Sequence, residues 1–404
     1  MLRPITNKGR FQTLVLTWLC LTFQAVPLAG LPLLLPLIRQ DLGLTYAQAG
    51  SLASLELLVY ALMQFPAGYL SDHYSPRKLV VIGVLGMVIF SIFLAFARQY
   101  WQVLVIQLFY GFFMSLMFTP AMSVFIRWFS PEHRTTTSTF PVMGMSLGVL
   151  GVNLLFPVIV NHYDTWRMPF IVLGLAGIIF ALGLLIFGKE AAFQGTRLNF
   201  HPNIIREVFR YKQVWVCYGL QFIRFSIAQG IMFWLPTLLL SEKQFSLQMA
   251  GTVIALQAII TGAFNIFIAY LSDRFKRPIM VIGVSMVMLL ITTGLLVPMN
   301  SVGLVIVIIF INAIFLQAYF GPLFTLAVEI IGSEKTGISN GVSNMFAIFG
   351  GLFSAYLMGI LKDATGSFEW GFYSICILSA IGLILTLILK KLRRTKVLPH
   401  SCLG

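Results

Sequence analysis

Charge is what this sequence has least of. Only 10% of its 404 residues are Asp, Glu, Lys or Arg, against about 25% in soluble domains. A chain so poor in solvating side chains cannot cover a water-facing surface. That excludes an ordinary globular enzyme, a nucleic-acid module and a disordered protein. Histidine and cysteine are scarce too, at five and four. His73, His133, His162, His201 and His400 all fall in loops or near helix ends, so no His-built metal or catalytic centre is expected inside an apolar segment. The cysteines lack C-x-x-C spacing, and Cys20, Cys217 and Cys376 sit in apolar runs. They read as small buried hydrophobes, not as a disulfide or zinc framework. No G-x-x-x-x-G-K-[ST] loop is present, which points away from ATP as the energy source.

What the chain has in quantity is apolar residues, at 58%. A membrane-spanning helix needs about 20 of them in a row, so the composition has room for around a dozen. Charge and Pro/Gly clusters delimit twelve runs, roughly 12–37, 47–71, 79–97, 102–126, 137–161, 168–188, 213–240, 248–271, 279–298, 302–328, 337–361 and 370–389. Long unbroken runs also exclude an outer-membrane barrel, whose strands alternate. The first run is too long for a cleaved signal, and eleven more follow it. The expected class is an all-α membrane protein without cofactor, metal or nucleic-acid partner, its surroundings the lipid bilayer of a cell's inner membrane.

Orientation follows from Lys and Arg in alternate loops. With the N-terminus inside, twenty-one of the 27 basic residues fall on the cytoplasmic side and five (Arg39, Arg98, Arg167, Lys243, Lys362) on the other. Arg224 alone lies within a span. Both termini are therefore expected in the cytoplasm, and the net charge of +14 is a topology signal.

The chain also repeats itself. Tyr69-Leu-Ser-Asp72 returns as Tyr270-Leu-Ser-Asp273, and the same shift maps Ala49-Gly50 onto Ala250-Gly251, Gln64 onto Asn265 and Glu56 onto Gln257. A shift of half the chain implies two parallel six-helix halves, over 1–188 and 213–404, with 189–212 as a cytoplasmic linker. Duplication of this kind characterises transporters. The segment Gly68-Tyr-Leu-Ser-Asp72-His-Tyr-Ser-Pro-Arg77-Lys78 resembles the loop-2/3 signature of the major facilitator superfamily, and Asp273-Arg-Phe-Lys-Arg277 holds the matching place. Trp166-Arg167-Met-Pro-Phe170 and Arg127-Trp-Phe-Ser-Pro-Glu-His-Arg134 resemble the superfamily further, and the Gly350-Gly351 and Gly359–Gly366 stretches resemble its organic-anion symporter branches. The resemblance implies cytoplasmic gating by Asp72, Arg77, Asp273, Arg277 and Glu329. Gln107 stands where many members carry an arginine, and the fifth span has no Gly-Pro pair of the drug-antiporter kind.

Inside the spans a bare charge is costly, by at least about 2.5 kcal/mol, so intramembrane charges are functional candidates. Two qualify. Glu56 lies about 14 Å from one surface and Arg224 about 16 Å from the other at 1.5 Å per residue, both near the middle of a core about 30 Å thick. The plainer alternative is an ion pair that only locks the halves. Polar stripes accompany them on single helix faces, with Tyr60 and Gln64 below Glu56, Gln221 beside Arg224, and Gln24, Gln107, Asn312, Tyr319, Asn340 and Asn344 on other spans. Each alone reads more readily as inter-helix glue; together they suggest a wet cavity. Gly144-Met-Ser-Leu-Gly148 matches a hydrolase elbow in letters only, because it lies in a helix without partners.

The expected function is a secondary transporter, not an enzyme, moving a small polar anion by alternating access with a coupling ion. Arg224, Gln221, Gln24, Gln107, Asn312, Tyr319 and Asn344 would bind substrate, and Glu56 would carry the coupling proton. The rival expectation is an efflux protein for drugs or lipids, with Phe and Met lining its cavity. If Asp72 latches the cytoplasmic gate, Asp72→Asn slows transport severalfold in vesicles and leaves equilibrium binding intact; lost binding at normal turnover would contradict the latch.

Overall fold

A computed structural model of the chain describes residues 7–128, 134–189, 212–323, 326 and 336–394. Every regular element among the described residues is helical. The first compact unit comprises Met1–Leu198 with Leu239–Ala255, and the second Asn199–Leu238 with Leu256–Gly404. In chain order the helices are α1 (Asn7–Thr22), α2 (Leu31–Leu42), α3 (Tyr46–His73), α4 (Pro76–Phe96), α5 (Tyr100–Trp128), α6 (Arg134–Tyr163) and α7 (Met168–Phe187). There follow α8 (Lys212–Ser241), α9 (Leu247–Phe275), α10 (Pro278–Leu296), α11 (Val302–Leu316), α12 (Thr336–Thr365) and α13 (Glu369–Arg394).

Eleven segments of the described residues are long and apolar enough to cross a membrane. Helix α3 is not among them. At 28 residues it is about 42 Å long, so length is no obstacle; the stripe of Glu56, Tyr60 and Gln64 makes it more polar than its neighbours. Its start is fixed by a capping box, with Thr45 Oγ1 accepting from Gln48 N and Gln48 Oε1 accepting from Thr45 N.

Two expected spans are broken. Between 12 and 37 the chain forms α1, a π-helical turn over Val26–Gly30, and α2. Pro27 and Pro32 each remove an N–H at this join, and Phe23, Gln24 and Val26 bond instead to carbonyls three residues back. The span from 302 stops at Leu316, turns through Gln317–Tyr319 and resumes at Phe320. Pro322 is the cause: without an N–H it leaves a carbonyl of the preceding turn unpaired.

In the first unit α5 packs against α3 and α4, α4 against α7, and α1 against α6 and α7. In the second, α10 packs against α11 and α13, and α12 against α13. Ser226 Oγ donates to the Gly350 carbonyl (2.9 Å) and Trp234 Nε1 to that of Ala355 (2.9 Å), tying α8 to α12. Large apolar side chains such as Ile179, Ile186, Ile266 and Ile377 are exposed, whereas Glu56, Gln107 and Arg224 are at most 3% exposed. Apolar outside and polar inside is the arrangement that a hydrocarbon solvent selects.

Small residues set the closest approaches. A Cβ added at Gly148 of α6 would run into the Thr22 carbonyl of α1, and one at Gly350 of α12 into the Phe222 carbonyl of α8. Each unit thus presses a glycine of one helix against a backbone carbonyl of another. Gly148→Val forces backbone apart at a cost of about 1–3 kcal/mol and lowers the melting temperature of the detergent-purified protein. Gly151→Ala, which meets nothing within 4 Å, leaves it unchanged. Equal melting of the two variants would refute the close contact.

Candidate functional site

The first unit ties polar side chains to α5, from α3 and from the break after α1. Glu56 projects from α3 into the bundle and its Oε2 accepts a hydrogen bond from Gln107 Nε2 of α5 (2.9 Å). Both side chains are buried, and the second oxygen of each, Glu56 Oε1 and Gln107 Oε1, has no hydrogen-bond partner. Gly111, one turn further along α5, lets that helix press on the Glu56 backbone carbonyl. Gln64 Oε1 accepts from Thr119 Oγ1 (2.9 Å), a second α3–α5 tie two turns below. Gln24, at the break after α1, donates through Nε2 to the Met114 carbonyl of α5 (3.0 Å) and keeps an unpartnered Oε1.

The second unit is built on Arg224. Its Nε donates to Gln221 Oε1 (2.7 Å) and its Nη1 to Gln317 Oε1 (2.9 Å). Phe320 and Phe225 flank it, with the guanidinium carbon 4.8 and 5.5 Å from their ring centres. Guanidinium has five N–H donors and no acceptor, so both glutamines must turn their carbonyl oxygens toward it. Gln221 Nε2 is thereby left outward and unpartnered, as is the hydroxyl of fully buried Tyr319. No described carboxylate of the same unit pairs with Arg224. The result is a positive group held by neutral acceptors, with donors to spare.

The other expected residues have more local roles. Asn312 Nδ2 donates to Thr292 Oγ1 (2.8 Å) and Thr293 Oγ1 (3.2 Å), joining α11 to α10. Asn344 is exposed on α12. Arg77 Nη1 donates to the Leu185 and Gly188 carbonyls at the end of α7, where a cation suits the helix dipole. Arg277 is exposed at the start of α10. Glu329 and the side chains of Asp72, Asp273 and Asn340 lie outside the described residues. At the opposite end of the first unit Arg167 forms an ion pair with Asp41 (2.7 Å) and bonds the Ala97 carbonyl (3.2 Å), while Trp166 Nε1 donates to Asp41 (3.2 Å).

Sequence reasoning passed over Gln317, Phe320 and Phe225. On an unbroken helix Gln317 stands about 140° round the axis from Asn312, off the polar face. The turn at Gln317–Tyr319 re-aims it. Gly321-Pro322 was the available signal.

The profile of the Major Facilitator Superfamily matches residues 17–256 and again 238–401. The chain belongs to the Major Facilitator Superfamily. As such it is a multi-pass membrane transporter and not an enzyme. Among superfamily relatives, the phosphoglycerate transporter protein of Salmonella typhimurium is 23% identical over 84% of this chain and 80% of its own. The D-galactonate transporter of Escherichia coli is 22% identical over 89% and 91%. Among solved structures, a nucleoside transporter superposes with a TM-score of 0.81 at 12% identity, covering 94% of this chain and 99% of that one. A bacterial homologue of the human lysosomal transporter Spinster, inward-facing and unoccupied, gives 0.76 at 18% over 95% and 96%. These structural likenesses establish the fold.

Because both donors of Asn312 are spent on threonines, Asn312→Ala destabilises by about 1–3 kcal/mol, seen as a lower melting temperature, with ligand affinity retained. A fall in affinity at unchanged melting would make Asn312 a ligand instead.

Proposed function

We propose that this transporter is a proton-coupled symporter of a small organic anion, working by alternating access in a cell's inner membrane. The observation that carries the reading is Arg224: a buried guanidinium paired with no described carboxylate of its own unit, held by Gln221 and Gln317 and keeping three of its five donors uncommitted. A cation left in this state attracts an anion, and the planar fork suits a carboxylate gripped by two hydrogen bonds. The relatives named for phosphoglycerate, sulfoacetate, D-galactonate and hexuronate carriage are all named for anions.

Glu56 supplies the second half of the cycle. It is buried and bonded by one neutral amide, so it gains a proton without losing an ion pair in its unit. In this reading α3 crosses the membrane as the twelfth span, and both termini face the cytoplasm. Substrate and proton travel together, and their joint movement lets a gradient of one drive the other.

The test is uptake into proteoliposomes with the outside more acidic, using D-galactonate, 3-phosphoglycerate and sulfoacetate as labelled probes. Glu56→Gln abolishes accumulation above equilibrium and keeps exchange. Arg224→Ala removes binding, and Arg224→Lys weakens it at least tenfold because an ammonium cannot reproduce the fork. If Arg224→Lys and Arg224→Ala both bind as the parent does, the arginine is structural and the proposal fails.

A further inference from the structure

Glu56 and Gln107 form half of a two-bond ring. A carboxylic acid and a primary amide can close a cyclic pair, in which the amide N–H donates to the acid carbonyl and the acid O–H donates to the amide oxygen. The first bond is present, Gln107 Nε2 to Glu56 Oε2 at 2.9 Å. The atoms that would make the second, Glu56 Oε1 and Gln107 Oε1, are the ones left without a partner. Both are acceptors as they stand, and both side chains are at least nine-tenths buried, at 3% and 0% exposure. A buried acceptor left unpaired in a medium of low dielectric is costly, and here the carboxylate and the amide each carry one. One proton on Oε1 removes both faults and the buried charge together.

We propose that Gln107 is the positioning residue for the coupling proton, which is stored on Glu56 as a closed, neutral acid–amide pair at neutral pH. This inference deepens the coupling role given to Glu56 above and rests on it for its function. The bookkeeping is simple: a proton from water adds to the carboxylate, its O–H donates to Gln107 Oε1, and release returns it to water. The order of events follows, with the proton loaded before the substrate arrives. The other titratable groups near the pair are the phenols Tyr110 on α5 and Tyr60 on α3, neutral at this pH. The charges of the helices packed against α3, namely Arg39 and Asp41 of α2, Arg77 and Lys78 of α4 and Arg127 of α5, stand toward the ends of those helices. Nothing charged among the described residues of these helices therefore competes for the proton. Gln rather than Glu or Arg at position 107 is what the pair needs, because the amide offers one donor and one acceptor in a fork without taking up a proton of its own.

Infrared difference spectroscopy on the purified protein in light and heavy water tests the pair directly. At neutral pH the parent shows a carboxylic-acid carbonyl band that Glu56→Gln lacks. In Gln107→Met, close in size and without hydrogen bonds, the band persists and moves to higher frequency. Absence of any Glu56-dependent acid band at neutral pH would overturn the proposal, as would a band that Gln107→Met leaves unmoved. Should Gln107→Met not fold, the comparison of parent with Glu56→Gln across a pH series decides alone, the pair requiring a band that vanishes only in alkali. The readout is independent of transport. A closed pair without gradient-driven uptake supports this inference and defeats the coupling role; gradient-driven uptake with an ionised Glu56 does the reverse.

Discussion

Hydrocarbon offers no hydrogen bonds, and every polar group placed in it must find its partner within the protein. That constraint orders this structure. Helices satisfy the backbone; glycines at Gly148 and Gly350 bring them close enough for side-chain bonds such as Ser226 to the Gly350 carbonyl. Other polar groups are spent in the same way, the Asn312 amide nitrogen on two threonines and Gln64 on Thr119. The groups that remain unspent stand out against this economy, and they are where function is to be sought.

The unspent groups differ between the units. Around α5 of the first unit they include the acceptors Gln24 Oε1, Glu56 Oε1 and Gln107 Oε1 beside the Tyr110 hydroxyl. Around Arg224 they are chiefly donors, Gln221 Nε2, the Tyr319 hydroxyl and the rest of the guanidinium. In the proposed cycle one unit takes up the proton and the other the anion. A symporter of an acid needs one of each, and the chemistry of the two clusters supports that reading without a metal or cofactor.

Much of this was legible in the sequence because membrane helices leave little ambiguity. Long apolar runs gave the all-helical class, and the cost of charge in lipid picked out Glu56 and Arg224 among the 40 charged residues implied by 27 basic and 13 acidic ones. Helical spacing also paired Gln221 with Arg224 correctly, since both lie on unbroken α8. What escaped was whatever depends on a break. Gln317 reaches Arg224 because Pro322 interrupts the helix before it, and Gln24 bonds Met114 at a join shaped by Pro27. Periodicity assumes an axis that those prolines end. Partners across helices were equally hidden: no spacing rule tells that Gln107 would meet Glu56 and not lipid.

The central claim is that Arg224 binds an anion, and the melting temperature of the purified protein tests it most directly. Sugar acids, phosphorylated acids and sulfonates are each compared with an uncharged analogue, on the parent and on Arg224→Ala. The account predicts that at least one acid raises the melting temperature of the parent, that its neutral analogue does not, and that Arg224→Ala responds to neither. A neutral analogue that stabilises the parent as well as its acid, or an acid that stabilises Arg224→Ala as it does the parent, would contradict it.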